Sequence, residues 1–167
     1  MQKPRELFSK IYDKYIDKIY RFVVLKVDSQ ETAEDLTSEA FSRTWAVFKK
    51  KGEEIENIQA FLYKTARNLV IDYYRQKGKI HIISVDNPLI IDPRHDLEKQ
   101  AELNSDIQNI KKTLSDLKED YQNVIIWHYL DDLSIPETAE LLGRTEEATR
   151  VLLHRALKAL KSKIKEV

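Results

Sequence analysis

Between Phe8 and Val23 the apolar side chains fall at positions 8, 11, 12, 15, 16, 19, 22 and 23, the three-and-four spacing of one helix face. Pro4 stands where a first helical turn tolerates it. A second helix is predicted from near Asp28, because Asp28 and Glu31 have capping-box spacing. It carries Leu36, Ala40, Phe41, Trp45 and Phe48 and stops at Gly52. A third begins after Asn57, carries Phe61, Leu62, Ala66, Leu69, Val70 and Tyr73, and ends before Gly78. Three helices of this length bury a shared core.

The pattern then changes. Ile80 to Pro88 has no helical period, and Asp92-Pro93 disfavours helix there. Helical spacing resumes near Leu97 and continues through Leu103, Ile107, Ile110, Leu114 and Leu117. Tyr121 to Leu130 follows, and then two short helices flank Gly143. The organisation expected is an all-α chain of two small helical domains. An N-terminal bundle spans 1–79, a flexible linker 80–95, and a C-terminal helical domain 96–167. With 3 Gly and 4 Pro in 167 residues, the turn formers that sheets need are scarce, which also favours helices.

Charge in bulk excludes little, since Lys plus Arg and Asp plus Glu are both 28. Cysteine is absent, so disulfides, thiolate metal sites and cysteine nucleophiles are excluded. His81, His95, His128 and His154 are scattered and lack metal-ligand spacing, so no metal site and no cofactor is expected. No glycine-rich phosphate loop or nucleophile motif is present, so no catalytic residue is assigned and an enzyme is not expected. The N-terminus lacks a signal-peptide core, and no apolar run approaches the roughly 20 residues that span a bilayer. A cytoplasmic protein without membrane insertion is expected.

Two stretches carry candidate chemistry. Ser134-Ile135-Pro136-Glu137 is a capping box with proline in the first turn, and Gly143-Arg144 supplies a turn before Thr145 caps a second helix. A short helix, a glycine turn and a longer helix form the helix-turn-helix pattern, whose second helix enters a DNA major groove. An ordinary helical hairpin has the same outline. From Arg150 to Lys165 six basic residues occur without an acid. Phosphates call for such a cluster, and so does the dipole at a helix C-terminus. Arg150, His154 and Lys158 share one face, with Arg155 beside it. In the second stretch, residues 60–79, Lys64, Arg67, Arg75, Lys77 and Lys79 face one acid, Asp72, and Phe61, Tyr63, Tyr73 and Tyr74 lie among them. Aromatic rings and cations together suit a single strand, whose bases stack while its phosphates pair. The same aromatics also suit a core, which leaves polar Asn68 and Arg75 as the better functional candidates.

These stretches resemble a known family. Ala33 to Trp45 looks like the core-binding helix of extracytoplasmic-function sigma factors. Phe61 to Arg75 resembles their promoter-melting helix. Leu114 to Ile125, Ala139 to Gly143 and Leu153 to Ala156 resemble their C-terminal helix-turn-helix domain. The resemblance implies that 1–79 is sigma region 2 and 96–167 sigma region 4, in a chain that directs promoter-specific initiation. It implies that Asp35, Glu39 and Arg43 dock on the beta-prime coiled coil of core RNA polymerase. Asn68 falls at the pocket for a flipped base of the minus-ten element, with Arg67, Asp72 and Arg75 around it as scaffold or strand contacts. The loop from Lys50 to Gln59 stands where relatives hold a base-recognising loop. In region 4, Arg144, Arg150, His154, Arg155 and Lys158 fall in the reader of the duplex minus-thirty-five element. Promoter DNA, duplex and melted, core polymerase and an anti-sigma factor are the partners implied.

The sequence also departs from the family pattern. Glu147, Thr149, Val151 and Leu152 stand where members often carry glycine, a β-branched residue and a serine–arginine pair. The run Val151-Leu152-Leu153 is expected to give the helix a second buried face, and Phe61 replaces the usual tryptophan. Two other readings remain open on the residues: a stand-alone helix-turn-helix regulator, and a divergent sigma-like protein that binds only protein partners.

Overall fold

The computed structural model describes residues 3–79 and 108–165. Among them are helices and connecting turns and no strand, as an all-α fold requires. The linker at 80–95, His81, His95 and the pattern from Leu97 to Ile107 lie outside the described residues. The chain divides into two compact units, Met1–Ile90 and Ile91–Val167.

In the first unit α1 spans Pro4–Val24, α2 Gln30–Lys51 and α3 Ile58–Lys79, and all three pack on one another. The core takes Ile19, Phe22 and Val23 of α1, Ala40 of α2, and Leu62 and Ala66 of α3 from the apolar faces read in the sequence, and adds Ala33 and Tyr63, which that reading did not place there, while Trp45, Phe61 and Tyr73 are only half-buried. Tyr63 stands edge-on to Phe22 at 5.8 Å between ring centroids. The α2 cap differs from expectation by one residue. Ser29, in extended backbone, accepts the Thr32 N–H at 3.1 Å, and α2 begins at Gln30. Asp28 is used elsewhere, as shown below. At the far end Gly52 adopts φ 50°, a conformation that favours glycine, and a 3₁₀ turn, Gly52–Glu54, follows. Asn57 caps α3 by accepting the Ala60 N–H at 3.0 Å. The α3 helix runs through Gly78 to Lys79 instead of ending before it.

In the second unit helix α4 is described over residues 108–115, followed by α5, Glu119–Ile125. One π-helical stretch, Ile126–Leu130, continues α5. It closes with the Asp131 N–H on the Ile126 carbonyl at 2.9 Å. Trp127, Val124 and Ile126 are buried there, in agreement with a core role for the tryptophan. The His128 Nδ1 lies 2.8 Å from the Leu133 carbonyl, which only accepts, so that nitrogen bears the proton. Helix α6 spans Ile135–Leu142 and α7 Glu146–Lys165, and both pack on the preceding elements.

Candidate polymerase and nucleic-acid interfaces

Helix α2 buries Ala33, Thr37, Ala40, Phe41, Thr44 and Phe48, half-buries Leu36, Trp45 and Val47 beside them, and exposes the opposite side. Asp35, Glu39 and Arg43, spaced by four, therefore form one exposed stripe. The Arg43 Nε donates to Glu39 at 2.7 Å, so two of the three residues are already ordered against each other. Beside the stripe lies a feature that periodicity did not single out. Phe8 and Tyr12 of α1 and Phe41 and Trp45 of α2 line an aromatic groove of about 640 Å³, with Ser38 and Ser42 on its rim. Phe8 is 5.1 Å from Trp45 and Tyr12 4.9 Å from Phe41, between ring centroids. The signal available in sequence was the excess of aromatics over what one core-facing stripe takes up.

On α3, Asn68, Asp72 and Arg75 fall at i, i+4 and i+7 and are all exposed, while Arg67 beside them is half-buried. Asp72 and Arg75 make a loose pair at 3.9 Å. Three of the four candidates thus share one solvent face. The aromatics divide: Tyr63 is core, Phe61 and Tyr73 are half-buried, and Tyr74 is exposed along one edge. The Tyr74 hydroxyl donates to the Lys26 carbonyl, and Tyr73 and Tyr74 meet at 5.3 Å. Burial, with Tyr73 alongside, pushes the Tyr74 phenol above its ordinary pKa.

Lys77 has a different role from its neighbours. Its ammonium pairs with the Asp28 carboxylate in the α1–α2 turn and lies 5.5 Å over the Tyr73 ring, with only 19% of its side chain exposed. Lys77 and Tyr74 together tie the end of α3 to residues 26–28. In the loop ahead of α3, Glu54 and Glu56 are exposed.

The helix-turn-helix of α6 and α7 forms as its residues dictate. The Ser134 Oγ accepts the Glu137 N–H at 3.2 Å, and Glu137 accepts the Ser134 N–H at 3.1 Å, closing the capping box. Gly143 adopts φ 66°. Its N–H bonds Glu140 and the Arg144 N–H bonds Ala139, the paired closure of a Schellman turn. Thr145 accepts the Ala148 N–H at 3.1 Å and so caps α7. Helix α7 buries Thr149, Leu152, Leu153 and Ala156, a single stripe at i, i+3, i+4 and i+7. The expected second buried face is not there: Leu152 and Leu153 join the one core stripe and Val151 points outward, 50% exposed.

Arg150, His154, Arg155 and Lys158 are exposed on the outward side of α7. Arg150 lies 3.6 Å from Glu146, one turn back. Arg144 donates to Asp120 at 2.8 Å, holding the turn against the start of α5. Of the five region 4 candidates, four therefore share the α7 surface, and Arg144 is engaged at the turn. No cluster of potential metal ligands occurs among the described residues.

The same two stretches are matched by family models. Sigma-70 region 2 matches residues 11–80, and Sigma-70, region 4 matches residues 107–160. The chain is 29% identical over 164 residues to the ECF RNA polymerase sigma factor BldN of Streptomyces coelicolor, covering 93% of this chain and 59% of that relative. It is 27% identical to the ECF RNA polymerase sigma factor SigM of Bacillus subtilis, covering 92% of each. Among solved structures it superposes on CnrH, in complex with the cytosolic domain of CnrY, with a TM-score of 0.73 at 17% identity over 97% of this chain and 90% of that one. It superposes on the sigma factor RpoE of Bartonella quintana, in complex with the anti-sigma factor NepR, with a TM-score of 0.71 at 22% identity over 95% of this chain and 96% of that one.

Proposed function

The chain belongs to the extracytoplasmic-function sigma factors, which direct transcription initiation, and from that premise we propose how its two units divide the work. The N-terminal unit, over residues 1–79, binds core RNA polymerase and handles the minus-ten element. The exposed stripe of Asp35, Glu39 and Arg43 meets the beta-prime coiled coil. Asn68 reads an unstacked base through its amide, because a pocket with polar groups left unpaired rejects the wrong base. Arg75 and Arg67 follow the melted strand, with Asp72 beside Arg75 on that face. Lys77 and Tyr74 are positioning residues that fix the end of α3.

The C-terminal unit, over residues 96–167, lays α7 in the major groove of the minus-thirty-five element. Arg150, His154, Arg155 and Lys158 then face base edges and phosphates, while Arg144 braces the turn and reaches the backbone. Residues 80–95 connect the two units. The protein carries out no chemistry of its own and works in the cytoplasm, where its polymerase is; no described helix is long and apolar enough to cross a membrane. An anti-sigma factor is the expected regulator, in keeping with the fold shared with a sigma factor seen in such a complex.

One observation carries this reading: in a single chain, a region 2 match exposes polar stripes on two helices, and a region 4 match follows it and folds as a capped helix-turn-helix. A stand-alone regulator has no use for the α2 stripe. The test is co-elution of the full chain with core polymerase, followed by footprinting on genomic fragments. Protection at two blocks about 20 base pairs apart, on the scale of two helical turns, is expected only when both proteins are present. Footprints from the chain without core would favour the regulator.

A further inference from the structure

Among the described residues of the second unit, the large apolar side chains open to solvent are Ile110, Tyr129, Val151 and Ile164. Three of them, Ile110, Tyr129 and Ile164, line one apolar groove between α4, the π-helical turn and the end of α7. Each thus has apolar neighbours. Val151 is not part of that groove and lies on the outward face of α7. The residues at i−1, i+3 and i+4 from it are Arg150, His154 and Arg155, all exposed and all basic or able to become so. With these on one side and Ala148 and Glu147 on the other, half of this aliphatic side chain is left in water with no large apolar neighbour among them.

DNA offers it a partner. A helix-turn-helix presents the N-terminal part of its second helix to base edges, and Val151 is in the second turn of α7. The major groove displays donors and acceptors with one apolar exception, the C5-methyl of thymine. Valine has no donor or acceptor, so opposite a cytosine amine or a guanine carbonyl it would desolvate a polar group without replacing its bond. We propose that Val151 is a specificity-determining residue that packs against a thymine methyl in the duplex promoter element, beside the base taken by Arg150. This rests on the reading of α7 as the groove helix. Glu147, one turn before Val151 and also exposed, keeps phosphate away from that spot, which leaves it to a base edge.

The experiment uses holoenzyme reconstituted from the full chain and core polymerase. Duplexes randomised upstream of a fixed minus-ten element are selected by binding. Each thymine in the enriched site is then replaced by deoxyuridine, which removes only the methyl. At one position this should weaken binding by about fourfold, the worth of one buried methyl-sized group. In Val151→Ala, whose side chain is too short to reach, the same replacement should have no effect. Val151→Thr, which keeps the shape and one methyl, should retain part of it. If every deoxyuridine is silent in the parent protein, or the methyl effect survives in Val151→Ala, the proposal is overturned. Absence of any enriched upstream sequence would instead overturn the reading of α7 itself, and the proposal with it.

Discussion

Replacing Asp28 by Asn separates two roles for Lys77 by the sign of the outcome. As a cation beside Tyr73 and Tyr74, Lys77 reads from sequence as a phosphate contact, and removing a nearby acid would then tighten DNA binding. The structure instead pairs its ammonium with Asp28 and leaves 19% of its side chain exposed, against 36% for Asp28. Exposed ion pairs contribute about 0–1 kcal/mol, whereas breaking a buried one costs about 3–5 kcal/mol. A pair between these limits should cost about 1–2 kcal/mol on losing the carboxylate charge. For a domain of this size that lowers the melting temperature by roughly 4–16 °C. Asp28→Asn should therefore destabilise the first unit, seen by calorimetry of the full chain. It should also weaken holoenzyme binding to a single-stranded minus-ten oligonucleotide. The salt dependence supplies a second check. Lys77→Gln should leave the slope of log affinity against log salt unchanged, whereas loss of a phosphate contact would reduce it by about 0.7. Unchanged stability together with tighter DNA binding in Asp28→Asn would refute the strut.

Reversing charge at both Asp35 and Glu39 should weaken core binding by about 1–3 kcal/mol per partly buried contact, with helix content by circular dichroism unchanged. Asn68→Ala should lower run-off from double-stranded promoters far more than it lowers core binding, and a pre-melted template should restore much of the loss. Tyr74→Phe removes the hydrogen bond to Lys26 and should cost about 1 kcal/mol at neutral pH. The Tyr74 pKa is raised in the folded state, so its contribution is present below about pH 10 and is lost as pH rises through that raised value. Alkaline titration of stability should accordingly fall less steeply in Tyr74→Phe than in the parent.

Most of the fold was legible because it is local. Eight apolar positions of α1 on one face, the Ser134–Glu137 capping box and the glycine at 143 each specify their element within a few residues. What sequence misjudged depends on partners far along the chain. Asp28 has the spacing of a cap, yet its carboxylate is taken by Lys77, and Ser29 caps α2 in its place. Gly78 reads in sequence as a stop, but α3 passes through it to Lys79. The stretch from Tyr121 to Leu130 reads in sequence as one run, whereas α5 gives way to a π-helical stretch at Ile126. The π-helical stretch from Ile126 is set by the packing of Trp127 and the closure of Asp131 on Ile126, which periodicity does not encode.

The candidate residues show the same division. Asp35, Glu39, Arg43, Asn68, Asp72 and Arg75 are polar at positions that the helical period turns outward, and that is where they lie. For Arg144 the resemblance implies a place in the duplex reader, and the structure adds a bond to Asp120, 24 residues earlier, that the turn's own residues do not signal. The run of Val151, Leu152 and Leu153 suggests a second buried face, whereas the 3.6-residue period sends the last two inward and the first outward. The aromatic groove beside the α2 stripe required the α1–α2 packing to bring Phe8 and Tyr12 against Phe41 and Trp45.

Run-off transcription with purified core polymerase tests the central claim most directly. Core alone, the chain alone and the two together are given genomic promoter fragments, and transcript starts are mapped. The account predicts discrete starts only from the mixture, lost when Asp35 and Glu39 are reversed and reduced when Asn68 becomes Ala. Core recruitment without any discrete start, on any fragment, would contradict it.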